Sequence, residues 1–120
     1  MAKILVVDDS ASIRNMVSFT LKQQSYLTVE AVDGKDGLAK AQKESFDLVI
    51  TDVNMPVMDG IALCGKLRQI PAFKFTPVLI LTTESSPEMK QRGKAAGATG
   101  WLVKPFNPDK LIATIKRVIR

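Results

Sequence analysis

Short apolar runs rich in β-branched residues alternate along the chain with longer stretches that carry apolar residues at helical spacing. The short runs predict strands, and the longer stretches predict helices. The predicted strands are residues 3–7, 27–32, 48–51, 77–81 and 100–103. Strands joined through helices are parallel, and their right-handed crossovers place helices on both faces of the sheet. The pattern therefore predicts an α/β fold: a three-layer, doubly wound, five-stranded parallel sheet.

Polar residues, prolines and one glycine mark the ends of the predicted helices. Ser10 or Ser12 is suited to cap the first helix, because a serine hydroxyl accepts a hydrogen bond from a free main-chain N–H group. Residues 85–88 and 107–109 each combine a cap residue, an early proline and an early acid, which favours a helix start. Gly97 is expected to end the fourth helix in the left-handed conformation.

The helical spacing also predicts which side chains face the sheet. They are Ile13, Met16, Val17, Thr20 and Leu21 in the first helix, Leu38 and Ala41 in the second, Leu63, Leu67 and Ile70 in the third, and Leu111, Ile112, Ile115, Val118 and Ile119 in the fifth. Cys64 lies among apolar neighbours in the third helix, so we expect an inert, buried thiol. A single cysteine cannot form an internal disulfide, which fits a reducing compartment.

Composition narrows the class of protein. A chain of 120 residues is long enough for one domain, and 46% hydrophobic with 24% charged residues is ordinary for a soluble globular protein. The formal charge of +5 comes from dispersed basic residues, apart from Lys116, Arg117 and Arg120, and only 6% of the residues are aromatic. This argues against direct nucleic-acid binding. No apolar stretch approaches the roughly 18 residues of a membrane span. We expect a cytoplasmic monomer.

Charged residues follow three of the predicted strands. Asp8 and Asp9 come after the first strand, Asp52 after the third and Lys104 after the fifth. The carboxyl ends of parallel strands share one edge of a sheet, so these side chains are expected to meet there. Three crowded carboxylates repel one another unless a cation lies among them, and an oxygen-lined site suits Mg²⁺. The positive lysine suits a phosphoryl group, so the sequence predicts a phosphate-chemistry site.

Taken singly, each candidate residue also has a structural interpretation. Asp8 and Asp9 are suited to cap a helix, and Asp52 is suited to a turn. Thr82 alone is typical of a strand end, Lys104 alone of a solvated surface, and Trp101 alone of core packing. The functional interpretation rests on their joint arrangement, because acids, hydroxyl and lysine all fall at the carboxyl ends of predicted strands.

Four ordered motifs give the chain a resemblance to the receiver domain of two-component response regulators. They are LVVDDS, TDVNMPVMDG, LTTES and VKPF, and the resemblance covers essentially residues 1–120 as one receiver domain. The stretch TTES followed by AAGATGWLVKPFNPDKL is similar to free-standing chemotaxis regulators of the CheY kind. The resemblance implies a flavodoxin-like (β/α)5 fold with strand order 2-1-3-4-5, an order that the hydrophobic pattern does not itself supply.

The resemblance also implies a role for each acid and for the lysine. Asp52 would be the phosphoacceptor, whose carboxylate attacks the phosphorus of a phosphohistidine on a sensor histidine kinase. Asp9 and Asp52 would bind Mg²⁺ directly, together with the main-chain carbonyl of Asn54. Asp8 would act on the metal largely through water. Lys104 would pair with a phosphoryl oxygen.

Further positions match the parts of a receiver that respond to phosphorylation. Thr82 resembles the hydroxyl that moves to the phosphoryl group, and Trp101 occupies the aromatic switch position, where tyrosine or phenylalanine is usual. Asn54 and Glu84 match positions beside the path of the hydrolytic water, a pairing that implies a short-lived phosphoryl state. The Lys104–Pro105 peptide bond is expected to be cis. The residues expected to border the partner site are Lys90, Val103 and Phe106.

These features favour a signalling protein that catalyses its own phosphorylation and dephosphorylation, most simply in chemotaxis with a flagellar motor switch protein as target. A haloacid-dehalogenase-type phosphatase is disfavoured, because Asn54 stands where that class needs a second acid. A flavodoxin is disfavoured because Asp8 and Asp9 would repel a flavin phosphate. A receiver fragment of a larger regulator such as a transcription factor, a phosphate sink and a phosphorelay intermediate remain open alternatives.

Overall fold

The computed structural model describes residues 2–119. Arg120, one of the three basic residues noted near the end of the sequence, lies outside the described residues. The strands are β1 (Lys3–Val7), β2 (Leu27–Ala31), β3 (Leu48–Thr51), β4 (Val78–Thr82) and β5 (Gly100–Val103). The helices are α1 (Ala11–Gln23), α2 (Gly34–Lys43), α3 (Gly60–Leu67), α4 (Pro87–Ala95) and α5 (Pro108–Val118), with a 3₁₀ turn at Pro71–Phe73. Neighbouring strands pair in parallel in the order β2-β1-β3-β4-β5. This confirms the predicted fold class and the strand order that the resemblance implied.

The core has two main layers, one on each face of the sheet. Alternate residues of a strand point to opposite faces. Leu5 and Val7 of β1 therefore pack with side chains of α2 and α3, whereas Ile4 and Val6 pack with side chains of α1 and α5. A smaller cluster around Ile80 connects the sheet with α4. With both faces covered, the loops that follow the strands form one edge of the molecule, called here the carboxyl edge.

The predicted helix signals are confirmed at the level of single residues. Ser10, Ser86 and Asn107 cap α1, α4 and α5, and each side chain accepts a hydrogen bond from the main-chain N–H three residues later. Of the two serines suited to cap the first helix, Ser10 is the cap and Ser12 is not. Gly97 follows α4 with a φ of 104°, the left-handed conformation expected there. The Lys104–Pro105 peptide bond is cis, as the resemblance implied.

One predicted core position and one predicted helical position are wrong. Met16 is 53% exposed, whereas Ser18 is buried. The reason is that α1 packs along the line through Val17 and Leu21, which turns Met16 toward solvent. Ile70 does not belong to the third helix, because α3 ends at Leu67. A proline follows Ile70, and the residue before proline avoids the helical conformation.

Smaller differences concern the ends of the elements. The second strand ends before Val32, whose N–H group bonds to the Asp36 carboxylate instead of a neighbouring strand. The fourth strand runs from residue 78 to 82 instead of 77 to 81, since Pro77 has no N–H group for a strand ladder. Val118 and Ile119 are half-buried, and α5 ends at Val118. Within residues 2–119, no helix is both long enough and apolar enough to cross a membrane.

Candidate metal and phosphoryl site

The register of the sheet brings the first and third acidic segments together. β1 and β3 are neighbours, and Val7 pairs with Thr51, so the next residues in each strand lie side by side. Asp8 and Asp52 are only 3% and 8% exposed, whereas Asp9 is exposed. One carboxylate oxygen from each of Asp8, Asp9 and Asp52 lies within 4.8 Å of the other two. These residues are called the carboxylate cluster below.

The loop after β5 adds a cation to this cluster. β5 pairs with β4, and the Lys104 N–H group continues that pairing by donating to the Thr82 carbonyl at 2.7 Å. The Lys104 Nζ lies 2.9 Å from Asp8 Oδ2 and 2.9 Å from Asp52 Oδ2. Burial alone would lower the pKa of Lys104, but its hydrogen bonds to Asp8 and Asp52 outweigh that effect and raise the pKa. The ammonium group therefore stays charged over the whole physiological range.

Main-chain groups fix the orientation of the two buried carboxylates. Asp52 Oδ1 accepts hydrogen bonds from the N–H groups of Val53 at 2.6 Å and Asn54 at 3.4 Å. Asp8 Oδ1 accepts one from the N–H of Ser10 at 2.9 Å. In each carboxylate the second oxygen faces Lys104. Asp52 therefore has a defined direction along the carboxyl edge, which is a requirement for a nucleophile.

The loop from β3 to α3 closes tightly on Asp52. The N–H of Gly60 donates to the Val53 carbonyl at 3.0 Å, which brings the start of α3 over the end of β3. A Cβ atom at position 60 would lie 1.9 Å from the Asp52 carbonyl oxygen. Only glycine fits this position, so the glycine that ends the TDVNMPVMDG motif is required by packing.

The carboxylate cluster has the donor chemistry of a Mg²⁺ site. Mg²⁺ prefers hard oxygen ligands at about 2.1 Å, which places neighbouring ligand oxygens about 3.0–4.2 Å apart in an octahedron. Carboxylate oxygens within 4.8 Å of one another are close enough to share one such ion.

The predicted switch residues lie beside the cluster on β4 and β5. Thr82 is fully buried, and its hydroxyl accepts a hydrogen bond from the N–H of Glu84 at 3.3 Å. Trp101 is half-buried, and its indole N–H donates to the Glu84 carbonyl at 2.9 Å. The Glu84 side chain in turn accepts a hydrogen bond from the Asn54 amide at 3.1 Å. The structure thus places the predicted acids, Asn54, Thr82 and Lys104 at the carboxyl edge, and Trp101, which lies inside β5, is connected to this edge through Glu84.

Sequence reasoning missed two residues near the site. Arg14 on α1 donates to the main-chain carbonyl of Asp8 at 2.6 Å and to the Glu30 carboxylate at 3.2 Å, which fixes the β1–α1 loop. Val57 in the β3–α3 loop has a φ of 71° and is 84% exposed. A valine in that conformation carries backbone strain, which no local pattern indicated.

Comparisons with known proteins agree with this geometry. A family model described as the response regulator receiver domain matches residues 4–116. The structure of chemotaxis protein CheY4 of Vibrio cholerae is 60% identical, with a TM-score of 0.95 and 98% of both chains covered. The transcriptional regulatory protein ResD of Bacillus subtilis is 37% identical over 98% of this chain and 48% of its own length. The alkaline phosphatase synthesis regulator PhoP of the same organism is 38% identical, with the same coverage.

The chain belongs to the response regulator receiver domain family. Receiver domains of this family are signalling proteins that take phosphoryl groups from histidine kinases. The chain spans about half the length of the curated relatives it matches, whereas it covers nearly all of the CheY4 chain. The fold and the family are therefore established by independent observations.

Proposed function

We propose that this chain is a phosphorylation-activated signalling switch that accepts a phosphoryl group from a histidine kinase onto Asp52 in a Mg²⁺-dependent reaction. The observation that carries the proposal is the arrangement around Asp52. Its carboxylate lies with those of Asp8 and Asp9 inside 4.8 Å, and Lys104 Nζ is 2.9 Å away. One residue can therefore act as nucleophile while its neighbours bind a cation and a phosphoryl oxygen.

Each group in the site has a distinct task in this reaction. Asp52 attacks the phosphorus of the phosphohistidine, a P–O bond forms to its carboxylate, and the P–N bond breaks with the electron pair returning to the imidazole. Asp9, Asp52 and the Asn54 carbonyl would hold Mg²⁺, with Asp8 acting through water. When bound, Mg²⁺ supplies positive charge that offsets the repulsion between the acids and the phosphoryl oxygens. Lys104 would donate to a phosphoryl oxygen.

The switch step involves the neighbouring strands. In the proposal, the Thr82 hydroxyl moves to the phosphoryl group, and Trp101 changes its packing in response. Two packings of one core are then biased by contacts that exist only in the phosphorylated state. The face that changes includes Lys90 on α4 and Val103 on β5, which are both exposed, and the half-buried Phe106. We infer that this face binds the partner.

For the pathway we propose chemotaxis, with a chemotaxis-type histidine kinase as donor and a flagellar motor switch protein as target. The 60% identity to CheY4 over 98% of both chains supports this. We further propose a cytoplasmic monomer in which residues 1–120 form one receiver domain. A second candidate is the receiver part of a longer transcriptional regulator, which the likeness to ResD and PhoP favours.

Acceptor chemistry is tested by labelling with acetyl phosphate in the presence of Mg²⁺, followed by intact-mass measurement. The wild type should gain one phosphoryl group, and Asp52→Asn should gain none. Asp47→Asn is the matched control, since Asp47 precedes β3 at the opposite edge and its contact with the Lys3 N–H needs only an acceptor oxygen. Equal labelling of the wild type and Asp52→Asn would overturn the assignment of the phosphoacceptor.

The two pathway candidates are separated by the partner. Beryllofluoride with Mg²⁺ is used to mimic the phosphorylated state, and binding of a purified motor switch protein and of a histidine phosphotransfer domain is measured with and without it. Stronger binding of the motor switch protein on activation supports the chemotaxis proposal. Binding of the phosphotransfer domain alone would contradict it and favour a relay.

A further inference from the structure

Hydrogen bonds to Glu84 and Asn54 link the switch residue, through the covalent structure of these two residues, to the phosphoryl site. The indole N–H of Trp101 donates to the Glu84 carbonyl at 2.9 Å. The Glu84 carboxylate accepts from the Asn54 side-chain amide at 3.1 Å. Asn54 follows Asp52 by two residues, and its main-chain N–H lies 3.4 Å from Asp52 Oδ1. Three contacts therefore connect β5 to Asp52 by way of the loop after β4.

The indole is held in place by its packing. Trp101 lies against the cluster formed by Val53, Ile61 and Ile80, and it is half-buried. A Cβ atom at position 93 of α4 would approach the indole Cζ3 to 2.7 Å, so a glycine there gives the ring room against the helix. A tryptophan seated in this way can aim its single N–H group at one acceptor.

The hydrogen bond to Glu84 depends on the tryptophan nitrogen. Phenylalanine would fill much of the same apolar space but has no donor for the Glu84 carbonyl. That carbonyl belongs to the loop that carries the Glu84 side chain toward Asn54. Anchoring the main chain at this point restricts where the carboxylate can reach, and so restricts the Asn54 amide.

We propose that Trp101 is a positioning residue for hydrolysis of the phosphoryl group on Asp52, acting through Glu84 on the amide of Asn54. The proposal rests on the function proposed above. Asn54 follows the acceptor by two residues, and holding its side-chain amide in one place favours one orientation of the attacking water, because positioning lowers the entropy cost of the reaction. In this proposal Trp101 sets the lifetime of the phosphorylated state, in addition to changing its own packing when Asp52 is phosphorylated.

The first test uses the unphosphorylated protein and does not depend on phosphoryl transfer. Side-chain amide resonances of Asn54 are compared by NMR in the wild type, Trp101→Phe and Glu84→Ala. Both variants should shift the Asn54 amide in the same direction, whereas the control Glu88→Ala, an exposed acid in the first turn of α4, should leave it unchanged. An Asn54 amide that is unaffected by Trp101→Phe would overturn the proposal.

The second test measures dephosphorylation after labelling with acetyl phosphate and removal of the donor. Trp101→Phe and Glu84→Ala should each slow hydrolysis roughly fivefold, the rate change expected from one lost hydrogen bond. The double variant should be no slower than Glu84→Ala, because both changes act through one contact chain. Gly93→Ala, which keeps the tryptophan but displaces its ring, should also slow hydrolysis.

The results separate positioning from general packing. One outcome is that Trp101→Phe slows hydrolysis by the same factor in the wild-type protein and in Glu84→Ala. In that case Trp101 acts only by stabilising the core, and the proposal is wrong. Faster hydrolysis in both single variants would show that the contacts shield the phosphoryl group, which also overturns it. Failure of Asp52 to accept phosphate would leave the NMR test standing, so the two proposals fail separately.

Discussion

Two regions at opposite edges of the sheet each place a cation among oxygen atoms. At the carboxyl edge, Lys104 bonds to Asp8 and Asp52 while Asp9 lies close by. At the other edge, Arg68 at the end of α3 donates to the main-chain carbonyls of Phe73, Thr76 and Gly97, at 2.6–3.2 Å. These four residues are called the Arg68 cluster. In the first region anions are in excess, whereas in the second neutral dipoles surround the cation.

The difference separates a functional site from a structural one. Arg68 ties the end of α3, the loop before β4 and the turn after α4 together, and the planar guanidinium group suits three carbonyls at once. The carboxylate cluster keeps a negative surplus that becomes favourable only when a further cation binds. The stability of the two regions should therefore respond differently to Mg²⁺.

The largest expected effect is at Lys104. Lys104→Met removes the cation between two buried carboxylates and should lower the free energy of unfolding in EDTA by about 3 kcal/mol, the usual cost of breaking a buried pair. Mg²⁺ should recover a large part of this loss, because it binds the same acids. Urea unfolding with EDTA and with Mg²⁺ measures both quantities. A loss that Mg²⁺ does not reduce would contradict the electrostatic account of the cluster.

Arg68→Ala should be nearly as costly but independent of the metal. Loss of the Arg68 hydrogen bonds leaves the carbonyls of Thr76 and Gly97 without a donor, whereas the Phe73 carbonyl keeps the Thr76 N–H, and the cost should be roughly 2–3 kcal/mol. The same urea experiment should give equal losses in EDTA and in Mg²⁺. Acetyl phosphate labelling of the folded variant should match that of the wild type. Reduced labelling of fully folded protein would show that the two regions are coupled.

A third prediction concerns strain in the loop beside Asp52. Val57 has a φ of 71°, a conformation that costs a β-branched residue about 1–2 kcal/mol. Asparagine tolerates this conformation, so Val57→Asn should raise the free energy of unfolding by about 1 kcal/mol. Val32→Asn is the matched control, because Val32 is also exposed but has no positive φ. Equal effects at both positions would show that strain is not the cause.

The smallest effect is expected at Cys64. Burial raises the pKa of the Cys64 thiol above its ordinary value of 9.0. As the pH rises, the unfolded chain loses this proton before the folded chain does. The stabilising contribution is therefore complete below pH 9 and declines above it. Cys64→Ala should remove this part of the pH dependence above pH 9. A thiol reagent at pH 8.5 should label the wild type only after unfolding, and rapid labelling of the native protein would contradict the burial.

Much of the fold follows from local sequence pattern, because strand runs and helix caps are short-range signals. Ser86 and Asn107 are examples, since each cap bonds to a residue three positions away. The order of the strands is different. It depends on which strand pairs with which, so it came from the resemblance to receiver domains. Met16 shows the same limit, because packing against the sheet decides which way a helix turns.

The site was predictable to the extent that strand ends define it. Asp8, Asp52 and Lys104 could be brought together from topology alone, as each follows a strand at one edge. Arg14 and Arg68 could not be found in this way. Both act on main-chain carbonyls of distant segments, and a carbonyl leaves no mark in the sequence.

The central claim, that the acids at the carboxyl edge form a cation site, is tested most directly at Asp9. This residue is exposed and belongs to the carboxylate cluster. Melting temperatures of the wild type, Asp9→Asn and the control Asp47→Asn are measured in EDTA and in saturating Mg²⁺. Asp9→Asn should melt above the wild type in EDTA, since it relieves repulsion on the order of 1 kcal/mol.

In Mg²⁺ the order should reverse, because ion binding stabilises the folded wild type more than the variant. Asp47→Asn should respond to Mg²⁺ as the wild type does. The claim would be contradicted if Asp9→Asn melted below the wild type in EDTA. It would also be contradicted if Mg²⁺ raised the melting temperature of Asp9→Asn as much as that of the wild type.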